Sequence, residues 1–134
     1  MKLWIDGYRE PPARRNGWTW VKTYEEAQEL LKTGEVEVID VCYYFTKVED
    51  PFGEEFAHTI RHSVSNYRDY EFPEMENHLE ETGVDLVAWL EQQVYASGSF
   101  KVPKMISCHD MFESAAYRIR QMAKKMGSNS DYQY

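Results

Sequence analysis

Residues 36–50, "VEVIDVCYYFTKVED", have the pattern of a buried strand that runs into a loop. Residues 36–45 are mostly apolar, which is the pattern of a central strand in a parallel sheet that is covered on both faces. In an open α/β sheet, the loop after such a strand is where ligands bind. Here that position holds Cys42, Tyr43, Tyr44 and Phe45. The position that usually provides the chemistry is therefore filled by bulky, mostly aromatic side chains.

The elements on either side of this strand alternate between strands and helices. Short apolar or alternating stretches predict strands, and apolar residues at three- and four-residue spacing predict helices. Thr23 and Glu26 fit a capping box, Gly34 suits a left-handed helix end, and Asp110 is a good N-cap for the last helix. Strands are predicted at 2–6, 18–22, 36–45 and 102–109, and helices at 23–34, 82–98 and 110–126.

This order predicts an α/β fold, a small and mostly parallel sheet with flanking helices. We expect one domain over residues 1–126, interrupted after the third strand by an acidic insert at about 46–83, and a flexible tail at 127–134. Right-handed crossovers would bring the carboxyl ends of strands 1, 3 and 4 side by side. Those ends are Asp6–Gly7, Cys42–Phe45 and Cys108–Asp110.

Composition limits the class of protein. The 134 residues are 43% hydrophobic, which is enough for one domain with a core. The longest apolar runs fall short of a membrane span, and the first residues lack the apolar stretch of a signal peptide. Cys42 and Cys108 both lie in apolar strand contexts. We therefore expect a reduced, cytoplasmic protein.

The net charge of −8 is concentrated in one segment. Residues 49–85 hold eleven acidic side chains against Arg61 and Arg68, a net charge of −9. Aromatic residues are interleaved with these acids, as in binding hot spots. Two interpretations stay open: a solvated excursion, or a surface that imitates a phosphate backbone and docks on a basic partner.

Three other groups of residues have spacings that suit ligands. His58 and His62, at i and i+4, suit a metal only weakly, and solvated histidines are the simpler interpretation. Cys42, Cys108 and His109 could converge on Zn²⁺, although apolar strand cysteines are more often plain core residues. The basic loop with Arg9, Arg14 and Arg15 could grip a phosphate, but the overall charge opposes direct nucleic-acid binding.

The chain resembles the cyclic-phosphate-processing receiver-like domain, a small bacterial and phage relative of response-regulator receiver domains. The resemblance covers roughly residues 2–48 and 82–126 and implies a receiver-like fold. It rests on four stretches: "LWIDGYREPP" with "GWTWVKTYEEAQELLKTGEVEVI", then "TGVDLVAWLEQQV", then "KMISCHDMFESAAYRI".

The resemblance also implies a pocket that handles metal or phosphate. The family typically has an acidic pair after strand 1, Asp-His-Asp after strand 3 and His-Ser-Ala-Asn-Pro after strand 4. Asp6, Arg9 and His109 match this pattern, whereas Gly7 replaces the second acid and residues 110–113 depart from the last motif. Cys42, Tyr43 and Tyr44 stand where Asp, His and Asp would be. We interpret the chain as a degenerate member that needs no metal or other cofactor.

The leading functional hypothesis is a non-catalytic acidic binding protein or inhibitor. Its partner would be a basic protein, such as a nuclease or another nucleic-acid-binding protein, with no direct contact to nucleic acid or membrane. A phage-encoded inhibitor of a host defence nuclease would fit. The expected binding residues are Glu74, Glu76, Glu80, Glu81, Tyr67, Tyr70 and Phe72.

Two alternatives stay open. Asp6, Arg9 and His109, with Tyr43 or Tyr44, could keep a residual cyclic-nucleotide or cyclic-phosphate binding or phosphoesterase activity. Against this, Asp6 could simply cap a turn and His109 could be a satisfied pocket histidine. A dimeric scaffold is the third possibility.

Overall fold

The computed structural model describes residues 1–45 and 82–130. Within them a four-stranded, fully parallel sheet has the order β2-β1-β3-β4. This confirms the predicted α/β, receiver-like fold class. Of the insert predicted at about 46–83, only the last two residues are described. The strands are β1 Lys2–Ile5, β2 Thr19–Val21, β3 Val38–Val41 and β4 Met105–Cys108; the helices are α1 Tyr24–Lys32, α2 Gly83–Ala96 and α3 Glu113–Lys125, with a 3₁₀ turn at Ala13–Arg15.

The carboxyl ends of three strands meet at one edge of the sheet. Ile5 lies beside Val41, and Val41 lies beside Cys108. The next residue of β3 continues the pairing, because the Cys42 N–H donates to the Ile5 carbonyl at 3.0 Å. The register therefore places the residues that follow β1, β3 and β4 at one level, as the crossover rule predicts.

One face of the sheet forms the apolar core. Alternate strand residues point to this face, as the period of two requires, and all three helices bury their apolar side chains against it. The core strand residues are Leu3, Ile5, Val21, Ile39, Val41, Ile106 and Cys108; the helix residues include Ala27, Leu31, Val84, Leu86, Val87, Leu90, Ala115, Ala116, Ile119 and Ala123.

The opposite face of the sheet carries a row of one aromatic and two polar side chains. Trp4, Asp40 and Ser107 are register partners on neighbouring strands and all are buried. The loop between β1 and β2 reaches this face, where Arg15 pairs with Asp40. The prediction that β3 is a central strand covered on both faces is confirmed, since Asp40 is fully buried, but its apolar run is interrupted at Asp40, whose side chain lies in this row.

The helix boundaries confirm some of the capping predictions and correct others. The Thr23 hydroxyl accepts from the Glu26 N–H at 3.1 Å, and Gly34 has a φ of +75°. Helix α3 begins at Glu113, not at Asp110, and Phe112 is its N-cap without a side-chain hydrogen bond. Asp110 has a φ of +54°, a conformation that asparagine and aspartate tolerate better than most residues.

The start of the predicted tail is held by the domain. The Asn129 N–H donates to the Lys104 carbonyl at 2.9 Å, and the Asn129 carbonyl accepts from the Ile106 N–H at 2.9 Å. The Ser128 hydroxyl donates to the Pro103 carbonyl and is buried. Residues 127–130 are thus not a free tail, because backbone pairing with the start of β4 fixes them. Residues 131–134 lie outside the described part.

Candidate functional site

The buried His109 ring lies between two carboxylates. Its Nδ1 is 2.8 Å from Asp40 Oδ1, and its Nε2 is 3.0 Å from Asp6 Oδ2. The side chains of His109 and Asp6 are 5% and 4% exposed, and that of Asp40 is fully buried. Since Asp6 follows β1, Asp40 belongs to β3 and His109 follows β4, the cluster ties three strands together.

This arrangement favours a doubly protonated ring. An ionised carboxylate can only accept a hydrogen bond, so both ring nitrogens must donate. A neutral imidazole has one N–H, whereas an imidazolium has two. Burial lowers the pKa of His109, but hydrogen bonds and charge from Asp40 and Asp6 outweigh it, so the pKa is raised above its ordinary value. The two carboxylate partners and the raised pKa therefore favour the protonated, cationic form of His109.

Each member of the cluster has further support. The Trp4 indole stacks on the His109 ring with centroids 3.7 Å apart and an angle of 11° between the planes. Arg15 donates twice to Asp40 Oδ2, at 3.1 and 3.2 Å. The other oxygen of Asp6 accepts from the backbone N–H groups of residues 8 and 9, at 2.8 and 3.0 Å. These contacts fix the ring in position and orientation.

The model of the cyclic-phosphate processing receiver domain matches residues 1–125 of the chain. The chain belongs to this family. Neither the curated proteins nor the solved structures gave a match. The family match covers the whole described sheet, including the cluster around His109, so this cluster occupies the strand-end position of a cyclic-phosphate processing receiver domain.

Of the predicted family residues, the structure brings Asp6, Cys42 and His109 together. One ligand-type atom from each of the three lies within 4.8 Å of the others. Arg9 lies at the rim, where it pairs with Asp110, and its Nε is 3.8 Å from Asp6 Oδ2. These positions agree with the predicted convergence of the strand ends. Cys108, which the zinc hypothesis included, packs in the core instead.

The aromatic residues after β3 are largely packed away from solvent. Phe45 is fully buried and Tyr44 nearly so, while Tyr43 is partly buried against the core. The Tyr43 ring meets Tyr44 and Phe112 edge-on, with centroids 4.8 and 5.1 Å apart. Phe112 precedes α3, so these rings join the end of β3 to the start of that helix.

Sequence reasoning missed Trp4 and Asp40, and it placed Arg15 in a loop that could grip a phosphate, whereas Arg15 pairs with Asp40. Asp40 carried a usable signal, because a charged residue inside an apolar strand is costly to bury unless it is paired. Its partner Arg15 is 25 positions away, and only the folded loop brings it close. Trp4 had no signal beyond being aromatic.

The two cysteines are buried free thiols. Burial, followed by the charge of Asp6, raises the pKa of Cys42 well above its ordinary value. Burial, followed by the charge of Asp40, raises the pKa of Cys108 to about 12. The Cys42 thiol donates to the Tyr44 carbonyl at 3.0 Å. Both are therefore neutral thiols in this arrangement.

The described residues do not fit a hard cation such as Mg²⁺, which takes several oxygen ligands in near-octahedral geometry. Asp6 is the only carboxylate within the compact group of ligand atoms at the strand ends, and Asp40 is turned to His109 and Arg15.

The remaining predicted positions lie outside the described residues, and they stay predictions. They are His58 and His62 and the expected binding residues Tyr67, Tyr70, Phe72, Glu74, Glu76, Glu80 and Glu81. No helix of the described residues has both the length and the apolar character needed to cross a bilayer.

Proposed function

We propose that this receiver-like domain is a non-catalytic member of its family and acts as an acidic binding protein. The observation that supports the first half is the state of His109. Both ring nitrogens already contact carboxylates, and the side chain is almost completely buried. Among the retained family residues, His109 is the one suited to proton transfer at neutral pH. Its hydrogen bonds to the two carboxylates therefore bear most directly on whether the site is catalytic.

A catalytic histidine needs a nitrogen within reach of the substrate. A general base takes a proton at about 2.6 to 3.2 Å, directly or through one water. In His109 that position is taken on one side by Asp6 and on the other by Asp40. To act on a phosphate ester, the ring would have to leave a carboxylate and its stacked position on Trp4. The cluster is better suited to holding the strand ends together.

The second half of the proposal rests on the distribution of charge. The described residues hold twelve acidic and twelve basic side chains, so they are neutral as a group. Of the chain's 23 acids and 15 bases, eleven acids and three bases remain for residues 46–81 and 131–134. The domain frame is therefore balanced, and the acidic excess lies in one long segment that interrupts it.

Such a segment suits a basic partner. A field of one sign speeds the encounter with a surface of the other sign, and aromatic anchors supply the contacts that persist. The partner class that fits is a protein with a phosphate-binding groove, including nucleases and other nucleic-acid-binding proteins. An inhibitor would occupy that groove in place of the nucleic acid, as a phage-encoded antagonist of a defence nuclease would.

Charge neutralisation in the acidic segment tests this function. Replacing Glu74, Glu76, Glu80 and Glu81 by Gln should weaken capture of basic proteins from a host lysate. The matched control replaces Glu25 and Glu29 on α1, which are exposed, and should leave capture unchanged. The effect should shrink in high salt, because the Debye length falls from about 8 Å at 0.15 M to about 3 Å at 1 M. Equal capture by both variants at low salt contradicts the proposal.

A second candidate is residual processing of cyclic phosphates. The observation in its favour is the direct contact between His109 and Asp6, since a carboxylate–imidazole pair is a common acid–base unit. The test is an assay of cyclic nucleotides and RNA cyclic-phosphate ends, without metal and with Mg²⁺, Mn²⁺ or Zn²⁺. We expect no turnover. Turnover that Asp6→Asn abolishes, in a variant that keeps its near-UV circular dichroism, would replace the non-catalytic proposal.

A further inference from the structure

The face of the sheet opposite the apolar core carries a cavity of about 300 Å³. Val38 and Met105, the first residues of β3 and β4, line it. The cavity therefore lies at the amino ends of these strands, whereas the cluster around His109 lies at the carboxyl ends. Small-molecule sites occupy roughly 300 to 1,000 Å³. The volume therefore suits a small ligand.

The lining of this cavity is basic, although the chain as a whole is acidic. Arg15 and Lys104 line it, and no acidic side chain of the described residues does. Asp40 holds Arg15, but it shares its charge with His109. Glu37 is about half exposed and lies 3.7 Å from the Lys104 Nζ, so this ion pair is weak. The cavity therefore favours a ligand with a single negative charge.

Ser107 contributes a buried hydroxyl to the lining. The residue is only 2% exposed, and its hydroxyl has no hydrogen-bond partner among the described residues. A buried donor without a partner is unfavourable, so a ligand atom that accepts a hydrogen bond from it is bound more strongly than at an exposed contact. Because an ionised carboxylate only accepts hydrogen bonds, it is a suitable partner for this hydroxyl.

Arg15 and Trp18 form a fixed wall of the cavity. Arg15 Cζ lies 4.6 Å from the centroid of the Trp18 ring, and Asp40 Oδ2 accepts two hydrogen bonds from the guanidinium. A guanidinium that is already held in place loses little freedom when it binds a ligand, and its planar shape matches a carboxylate. Val38 and Met105 add apolar surface beside the Trp18 ring.

We propose that this cavity binds a small carboxylic acid. Arg15, Lys104 and Ser107 would attract and bind the carboxylate, and the apolar part of the lining would contact the body of the ligand. A carboxylate is favoured over a dianionic phosphate ester, because neighbouring carboxylates already balance part of the basic charge. This inference goes beyond the proposed function and does not depend on it, since every residue that lines the cavity lies outside the acidic segment.

The test is a titration of nitrogen-15-labelled protein with three benzene derivatives, followed by NMR. Benzoate is the probe, benzamide is a neutral molecule of the same shape, and phenyl phosphate carries a second negative charge. The Trp18 indole N–H and the Asn129 side-chain amide report binding, because both residues line the cavity. We expect saturable shifts with benzoate and an affinity about tenfold lower for benzamide, which lacks the charge. Phenyl phosphate should bind no more tightly than benzoate.

Variants of the lining test which groups bind the carboxylate. Ser107→Ala removes the buried donor and should weaken benzoate binding about tenfold. Lys104→Gln removes the charge of a side chain that is 73% exposed, so it should weaken binding only about two- to fivefold. Lys124→Gln is the matched control and should leave binding unchanged, because Lys124 is exposed on α3 and lies outside the lining.

Absence of saturable shifts at Trp18 and Asn129 in the parent protein overturns the proposal, whichever variants fold. Equal affinities for benzoate and benzamide, or full benzoate affinity in Ser107→Ala, overturn it as well. Tighter binding of phenyl phosphate than of benzoate would overturn the assignment to a carboxylic acid.

Discussion

His109 is the residue on which the properties of the strand-end site depend. In most receiver-like sheets, the carboxyl ends of the strands are open to a ligand. Here one imidazole, stacked on Trp4, is held edge-on by Asp6 and Asp40. Isolated buried charges are costly, but this cation has two anionic partners, and Arg15 balances the second anion. The cluster is therefore close to neutral and well satisfied.

The raised pKa of His109 predicts a pH dependence of stability in metal-free protein. Asp6 and Asp40 favour the protonated ring in the folded state, whereas the unfolded ring titrates near its ordinary pKa of 6.5. The stabilisation is therefore fully present below that value and is lost as pH rises through the higher folded-state pKa. Urea unfolding of the parent and of His109→Gln, across this range, measures it. A gap between the two that widens with rising pH would contradict this assignment.

Asp40→Asn tests the carboxylate that the sequence did not reveal. The change leaves Arg15 near a neutral amide and removes one charge from beside the imidazolium. Breaking a fully buried ionic contact should cost about 3 to 5 kcal/mol of unfolding free energy. Glu37→Gln is the control, because Glu37 is about half exposed and its ion pairs are long, and it should cost less than about 1 kcal/mol. Equal losses would show that Asp40 has no special role.

The strand topology predicted that Asp6 and His109 would lie at the strand-end site, but it did not predict that Asp40 would join them. Residues that follow parallel strands converge because the fold class requires it, so the sequence pattern was sufficient for them. Asp40 lies inside the strand, and whether its side chain meets Arg15 depends on the path of the β1–β2 loop. Local sequence rules do not determine that path.

The element that shapes the site from the helix side is the start of α2. Thr82 and Asp85 form a capping box, and the Gly83 N–H donates to the Tyr43 carbonyl at 2.8 Å. Gly83 lies so close to the end of β3 that a methyl group there would collide with the Cys42 carbonyl oxygen. Its role is therefore close approach of helix and strand.

Gly83→Ala should displace α2 from the end of β3. Overpacking of this kind typically costs about 1 to 3 kcal/mol, and here backbone atoms, which adjust poorly, are the obstacle. Gly98→Ala is the matched control, since an added methyl group meets nothing within 4 Å. Thermal or urea unfolding of both variants gives the comparison. A Gly83 variant as stable as the Gly98 variant would show that the helix moves without cost.

Element boundaries were predicted less well than element types. Thr23 and Gly34 delimit α1 as expected, because their side-chain and backbone preferences act locally. Asp110 was expected to cap α3, yet it has a positive φ and pairs with Arg9. Its side chain pairs with Arg9 and does not cap the helix, which begins at Glu113 with Phe112 as its N-cap.

The whole molecule combines a neutral α/β frame with a strongly acidic segment. All helices of the described residues cover one face of the sheet, and the other face carries the row of Trp4, Asp40 and Ser107. The fold class and the meeting of the carboxyl ends of strands 1, 3 and 4 followed from the alternation and crossover rules. The difference between the two faces did not follow from these rules. Strand β3 is apolar on average, and its single charged residue, Asp40, makes one face of the sheet polar.

We expect that in metal-free protein at neutral pH the Asp6–His109–Asp40 cluster is closed around a protonated imidazole ring. Nitrogen-15 NMR of the His109 ring in metal-free protein at neutral pH tests it most directly, because the shifts of Nδ1 and Nε2 report whether each nitrogen bears a proton. We expect two protonated ring nitrogens and two slowly exchanging ring N–H protons. A neutral ring with one bare, rapidly exchanging nitrogen would contradict it and would leave His109 available as a base.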